Sequence, residues 1–105
     1  MKKSVTKEEW WLMDCSFPDL QWARLRVYDD NSAEVFYGSR CSNHKNEESA
    51  CSELVDDEYV KFSDLDQDDE EYYGIPFSKI YPPSGTTDEV LKEQMYVSSG
   101  IYLNP

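Results

Sequence analysis

The clearest hydrophobic pattern runs from Trp22 to Tyr37. Ala23, Leu25 and Val27 alternate with Arg24, Arg26 and Tyr28, and Ala33, Val35 and Tyr37 alternate with Glu34 and Phe36. A two-residue period is that of a half-buried strand. The link Asp29-Asp30-Asn31 predicts a three-residue hairpin loop with Asn31 in the left-handed conformation. This register pairs Tyr28 with Ser32, Val27 with Ala33 and Leu25 with Val35, so apolar meets apolar. It also sets Arg26 opposite Glu34 on the outer face, a cross-strand pair worth a few tenths of a kcal/mol. A four-residue loop would oppose Val27 to Glu34 and Arg26 to Val35, so the shorter loop is preferred.

The pattern elsewhere is more broken. Residues 1–7 are polar and read as a frayed start. Glu8 to Cys15 reads as a strand or short helix, with Trp11, Met13 and Cys15 on one face of the strand and Trp10 and Leu12 on the other. Residues 16–20, with Pro18 and Asp19, read as a connection, and 38–45 as a loop. Asn46 suits the N-cap of a short helix over 47–55 that turns Ala50 and Leu54 to one side, with Asp56 and Asp57 at its end. Glu58 to Phe62 has strand character. Asp66 suits the cap of a second helix, QDDEEYY, closed by a left-handed Gly74. Ile75, Phe77 and Ile80 follow as apolar anchors, and Pro82 to Gly85 break the chain. Thr86 and Glu89 predict a capping box for a third helix with Val90, Leu91 and Met95 as its stripe. The tail from Tyr96 adds an edge strand or stays loose.

These elements predict an α+β fold over a single domain, residues 1–105. It is a small antiparallel sheet built on the 22–37 β-hairpin, with two or three short helices packed on one side. Residues 1–7 and 98–105 are expected to be its loose ends. The length fits one domain with one modest core. Aromatic residues make up 14% of the chain, too many for a disordered one despite a mean hydropathy of -0.77.

Charge changes the picture most. The net charge is -12. Residues 1–46 are balanced, whereas 47–71 hold twelve acids against Lys61 alone. Within this quarter, LVDDEYVKFSDLDQDDEEYYGI (54–75) threads apolar residues between the acids. A plain acidic tail lacks such anchors, so the segment is expected to fold onto the core with its charges in water. Its field repels nucleic acid and anionic membrane and attracts basic surfaces. No run approaches the ~20 apolar residues of a membrane span. Lys2 and Lys3 are followed by no apolar run of a secretory signal. The odd number of cysteines (Cys15, Cys41 and Cys51) then predicts reduced thiols and a cytoplasmic location.

The stretches WARLRVYDDNSAEV, LVDDEYVKFSDLDQDDEEYYGI and PPSGTTDEVLKEQMY, in that order, resemble a small uncharacterised bacterial family of acidic proteins. It combines a patterned hairpin, a DEYV–F–LD–D segment and a proline turn. The resemblance implies the fold just described and carries no activity or functional residue with it.

Candidate chemistry is sparse. Asp64, Asp66 and Asp68 match the first three ligand positions of an EF-hand loop. Asp69 then stands where the loop needs glycine, and Ile75 where it needs the bidentate glutamate. Cys41, His44 and Cys51 contain only one short-spaced pair, short of the usual zinc pattern. No glycine-rich phosphate loop or nucleophile elbow occurs. Trp22, Arg24, Arg26, Tyr28 and Phe36 could form a stacking face for single-stranded nucleic acid, against the sign of the whole molecule. The expectation is therefore a protein that is not an enzyme and uses no cofactor and no metal. It would be an acidic interaction module whose Asp64, Asp66, Asp68, Asp69, Glu70, Glu71 and Tyr72 meet a basic protein partner. The alternative is a nucleic-acid mimic, an anti-defence or toxin-immunity type of inhibitor that blocks a nucleic-acid-binding protein. Either way, direct nucleic-acid or membrane binding is not expected.

Overall fold

The protein is described by a computed structural model covering residues 3–102. Its strands are β1 (Val5–Met13), β2 (Leu20–Tyr28), β3 (Ala33–Phe36), β4 (Cys41–His44), β5 (Tyr59–Lys61) and β6 (Tyr96–Val97). Its helices are α1 (Glu47–Asp56), α2 (Gln67–Tyr73), α3 (Asp88–Gln94) and α4 (Ser99–Tyr102). The strands form one antiparallel sheet in the order β4-β3-β2-β1-β5, with β6 paired to the start of β2. The fold is α+β.

The hairpin has the register that apolar matching requires. Leu25 opposes Val35, Arg26 opposes Glu34 and Val27 opposes Ala33. Asn31 sits at φ 72°, and the Tyr28 N–H donates to the Ser32 carbonyl at 2.8 Å. The charges pair differently from the expectation. Arg26 also opposes Glu8 of β1, and its Nε donates to Glu8 at 2.7 Å. Glu34 instead receives Arg24 at 3.3 Å. β2 has neighbours on both sides, so each arginine chooses among several carboxylates.

The sheet is covered on both faces. On one face, Ala23, Leu25 and Val27 of β2 pack with Trp11, Ala33, Val35 and Tyr59, and α1 closes this cluster with Ala50 and Leu54. On the other face lie Leu12, Leu20, Trp22 and Phe36, covered by Ile75, Phe77, Ile80 and Met95. This corrects the expectation of helices on one side only. Alternating arginine and apolar residues in β2 disguised a strand with two buried faces. Trp22 is 1% exposed and meets Phe62 edge-on at 5.0 Å. Arg24 is also 1% exposed. Its guanidinium stacks over Phe36 at 4.8 Å and bonds Asp88, in the first turn of α3, at 2.8 Å. Arg24 in turn holds the Asp88 carboxyl below the ordinary carboxylate range. A buried charge is tolerable only with such partners.

Three further boundaries differ from the sequence reading. β1 starts at Val5, inside the polar start, because that end of the strand pairs with Val27 and Tyr28. The expected 38–45 loop contains β4, which pairs with β3. Its polar residues hide it, since an edge strand needs no apolar alternation. Thr87, one residue later than expected, caps α3 by accepting the Val90 N–H at 3.3 Å, so Glu89 forms no capping box. β6 is an edge strand, the first of the two outcomes expected for the tail; residues 103–105 lie outside those described. The caps Asn46 and Asp66 and the left-handed Gly74 are as expected.

Two predictions follow from this packing. Arg24→Ala should lower stability by on the order of 2–3 kcal/mol, because it removes a buried stem and unties α3 from the sheet. Urea unfolding measures this, and a loss below about 1 kcal/mol would show that α3 docks without Arg24. The second concerns pH. The Asp88 and Glu9 carboxyls are held low by arginine and lysine, in Glu9 against the opposing effect of burial. Asp30 is pushed down to about 2 by the Ser32 hydroxyl and backbone N–H. Groups depressed in the folded state stabilise it above their unfolded pKa near 4, and that stability is lost as pH falls through the folded values. From pH 8 downwards, shedding negative charge relieves self-repulsion first. The melting temperature should therefore rise towards roughly pH 5 and fall below about pH 4. A continued rise to pH 3 would contradict these pairings.

Candidate partner-binding face

The acidic segment passes round the β5 edge of the sheet. α1 lies on the first face. β5 then pairs with β1, matching Met13 with Tyr59 and Trp11 with Lys61. A short 3-10 turn, Phe62–Asp64, leads to α2 on the second face.

Two kinds of interaction hold α2 there. The first is its caps. Asp66 Oδ1 accepts the N–H groups of Asp68 at 3.0 Å and Asp69 at 3.2 Å, and Asp69 Oδ2 accepts the Asp66 N–H at 3.0 Å. Gly74, at φ 72°, closes the other end with its N–H on the Glu70 carbonyl at 2.8 Å. Glu70 extends its side chain to the Ser78 N–H. The second is apolar packing. Tyr73 meets Phe17 edge-on at 4.8 Å, and Ile75 and Phe77 are buried behind it.

The seven expected contact residues therefore divide. Asp66, Asp69 and Glu70 have work inside the fold. Asp64, Asp68 and Glu71 are exposed and make no side-chain hydrogen bond among the described residues. Tyr72 is 81% exposed, whereas its neighbour Tyr73 belongs to the core. Sequence reasoning needed one of the two tyrosines for packing and had no means to choose; contact with Phe17 and Phe77 assigns Tyr73 to the core.

Charge pairing is uneven along the chain. Lys7 bridges Glu9 and Glu47, Lys61 adds a second contact to Glu9 at 3.0 Å, and Lys3 meets Asp30 at 3.3 Å. Arg24 and Arg26 take Glu34, Asp88 and Glu8, while Arg40 lies 4.0 Å from Asp57. None of the six carboxylates from Asp64 to Glu71 has an ion-pair partner among the described residues. Beside them lies a groove of about 500 Å³ with Phe62, Leu65 and Phe77 in its lining. The sequence marked these three as anchors, and the partial exposure of Phe62 and Leu65 beside buried Phe77 left no trace in it.

The other candidate chemistries find different arrangements. Cys41 and His44 lie three residues apart on β4, so their side chains leave opposite faces of that strand. His44 Nδ1 is 2.8 Å from the Ser49 hydroxyl, and Nε2 is 3.3 Å from Glu53. Glu53 also accepts the Tyr37 hydroxyl proton. Burial, then Glu53, pushes the Tyr37 hydroxyl well above its ordinary range. These contacts fasten β4 to α1. Cys51 sits with Glu9 and Glu47, their ligand atoms within 4.8 Å of one another, but Lys7 and Lys61 already occupy the two carboxylates. Burial raises the thiol pKa of Cys15, Cys41 and Cys51 alike. Asp66 commits an oxygen to the α2 cap, which leaves the calcium-like spacing without a loop. The suspected stacking face is closed, since Trp22, Arg24 and Phe36 are buried.

No family model, curated protein or solved structure matches the chain. Among the described residues, no helix is long and apolar enough to cross a membrane.

The division within α2 predicts two unlike mutants. Asp66→Ala should cost about 1 kcal/mol, as losing an N-cap does. Asp68→Ala should stay within about 0.5 kcal/mol of the parent. Thermal unfolding of both separates the roles, and equal losses would mean that α2 is not capped in this way.

Proposed function

We propose that the chain is a protein-interaction module without catalytic activity, presenting the face built on α2 to a basic partner. One observation carries the reading: six carboxylates within eight residues, from Asp64 to Glu71, form the densest acidic run of the chain and stand without an ion-pair partner among the described residues. Crowding like charge destabilises a folded chain through self-repulsion. An arrangement that keeps the charges unpaired on a capped, anchored helix suits a surface whose countercharges arrive with another molecule. Exposed Tyr72 supplies an aromatic anchor of the kind that carries binding energy at interfaces. The three unpaired thiols support a reducing, cytoplasmic setting.

Capture from host lysate at low salt, followed by a salt gradient, tests this proposal. A basic protein should be retained and then released at moderate salt, because screening weakens exposed charge pairs. Asp68→Lys combined with Glu71→Lys should remove retention without lowering the melting temperature by more than a few degrees. Retention unchanged by this pair would refute the assignment of the face. Competition by DNA or RNA for the captured protein would assign the module to nucleic-acid mimicry.

A further inference from the structure

The groove beside α2 refines the choice of partner, and this inference rests on the proposed acidic face. Its volume is about 500 Å³. Phe62, Leu65 and Phe77 give it an apolar floor, and Asp66, Gln67 and Glu70 line its side. Among the described residues, no lysine or arginine lines it. Of the two lysines nearest in sequence, Lys61 is held by Glu9 at 3.0 Å, and Lys79 lines a separate groove with Tyr81 and Tyr96. Phe62 is fixed from below by Trp22 at 5.0 Å, and Phe77 lies 5.5 Å from Phe17. The floor is thus carried by the turns that flank α2 and is held against the covered side of the sheet. Asp64, Asp68 and Glu71 neighbour these lining residues in sequence and have no ion-pair partner among the described residues.

A wholly polar cationic surface would leave the floor wet, and a wholly apolar segment would strip water from the acids without replacing it. The combination calls for both features in one ligand. We propose that the groove receives a cationic peptide segment of the partner, in which one large apolar side chain sits between lysines or arginines. The side chain covers Phe62, Leu65 and Phe77. The flanking cations meet the acids of 64–71. Charge brings the segment to the face, and the apolar contact selects among basic sequences.

Two synthetic peptides test this against the full chain by fluorescence anisotropy. One is Arg-Lys-Arg-Phe-Arg-Lys-Arg, and the other carries Ser in place of Phe. At 150 mM salt, the Phe peptide should bind about tenfold more tightly or better, a difference of about 1.4 kcal/mol. Ser63→Trp, which adds bulk at the groove edge on an exposed residue, should erase that difference and leave the weaker, charge-driven binding. Gln67→Trp serves as a second blocking variant, and a circular dichroism melt checks that each folds. Equal affinity of the two peptides for the parent chain would overturn the groove inference and leave the acidic face standing. Failure of both peptides to bind even at low salt would overturn the acidic face as well.

Discussion

Burial of β2 on both faces is the constraint on which the rest of the fold depends. This strand lies between β1 and β3, and it turns Ala23, Leu25 and Val27 one way and Leu20, Trp22 and Arg24 the other. Two buried faces require two covers, and a chain of 105 residues has little to spare. α1 supplies one cover with Ala50 and Leu54. The other comes from residues after β5, with Ile75, Phe77, Ile80 and Met95 as its contacts. The acidic segment must therefore cross the sheet edge and land on the far face, which explains its mixture of anchors and charges. Arg24 is the polar counterpart of this packing, with its stem buried and its guanidinium shared among Phe36, Glu34 and Asp88.

Local rules were legible where one residue type decides a backbone conformation. Asn31 and Gly74 at positive φ, and the caps Asn46 and Asp66, could be read directly. The hairpin register was legible because a four-residue loop would set Val27 against Glu34 and Arg26 against Val35. What depends on contacts distant in sequence was not. Arg24 and Arg26 look alike in the alternation, yet one is buried beneath α3 and the other meets Glu8 at the surface. β4 has no apolar period, and its place is set by pairing with β3 and by His44 reaching α1. For the candidate face, the sequence marked the acids without revealing which were occupied. Asp66 and Asp68 differ by two positions in a run of aspartates, and only the helix start makes one a cap and the other free.

This distinction turns an acidic composition into a surface with parts. Asp66, Asp69 and Glu70 hold α2 and the Ser78 turn in place. Asp64, Asp68, Glu71 and Tyr72 are then presented on a supported element rather than a loose tail. Surfaces kept for binding are often poorer in stability than they could be. Under the proposed function the unpaired charges on α2 are such a case, since neighbours of like sign repel in the free protein.

The melting temperature of the free chain as a function of sodium chloride, at neutral pH, tests this account most directly. Salt screens exposed charges with a Debye length of about 10 Å at 0.1 M. If the acids from Asp64 to Glu71 are uncompensated, the melting temperature rises as salt increases from a few millimolar to about 0.3 M, and neutralising Asp68 and Glu71 as Asn and Gln flattens the rise. A melting temperature that falls with salt would show that paired charges dominate the surface, and would contradict the account.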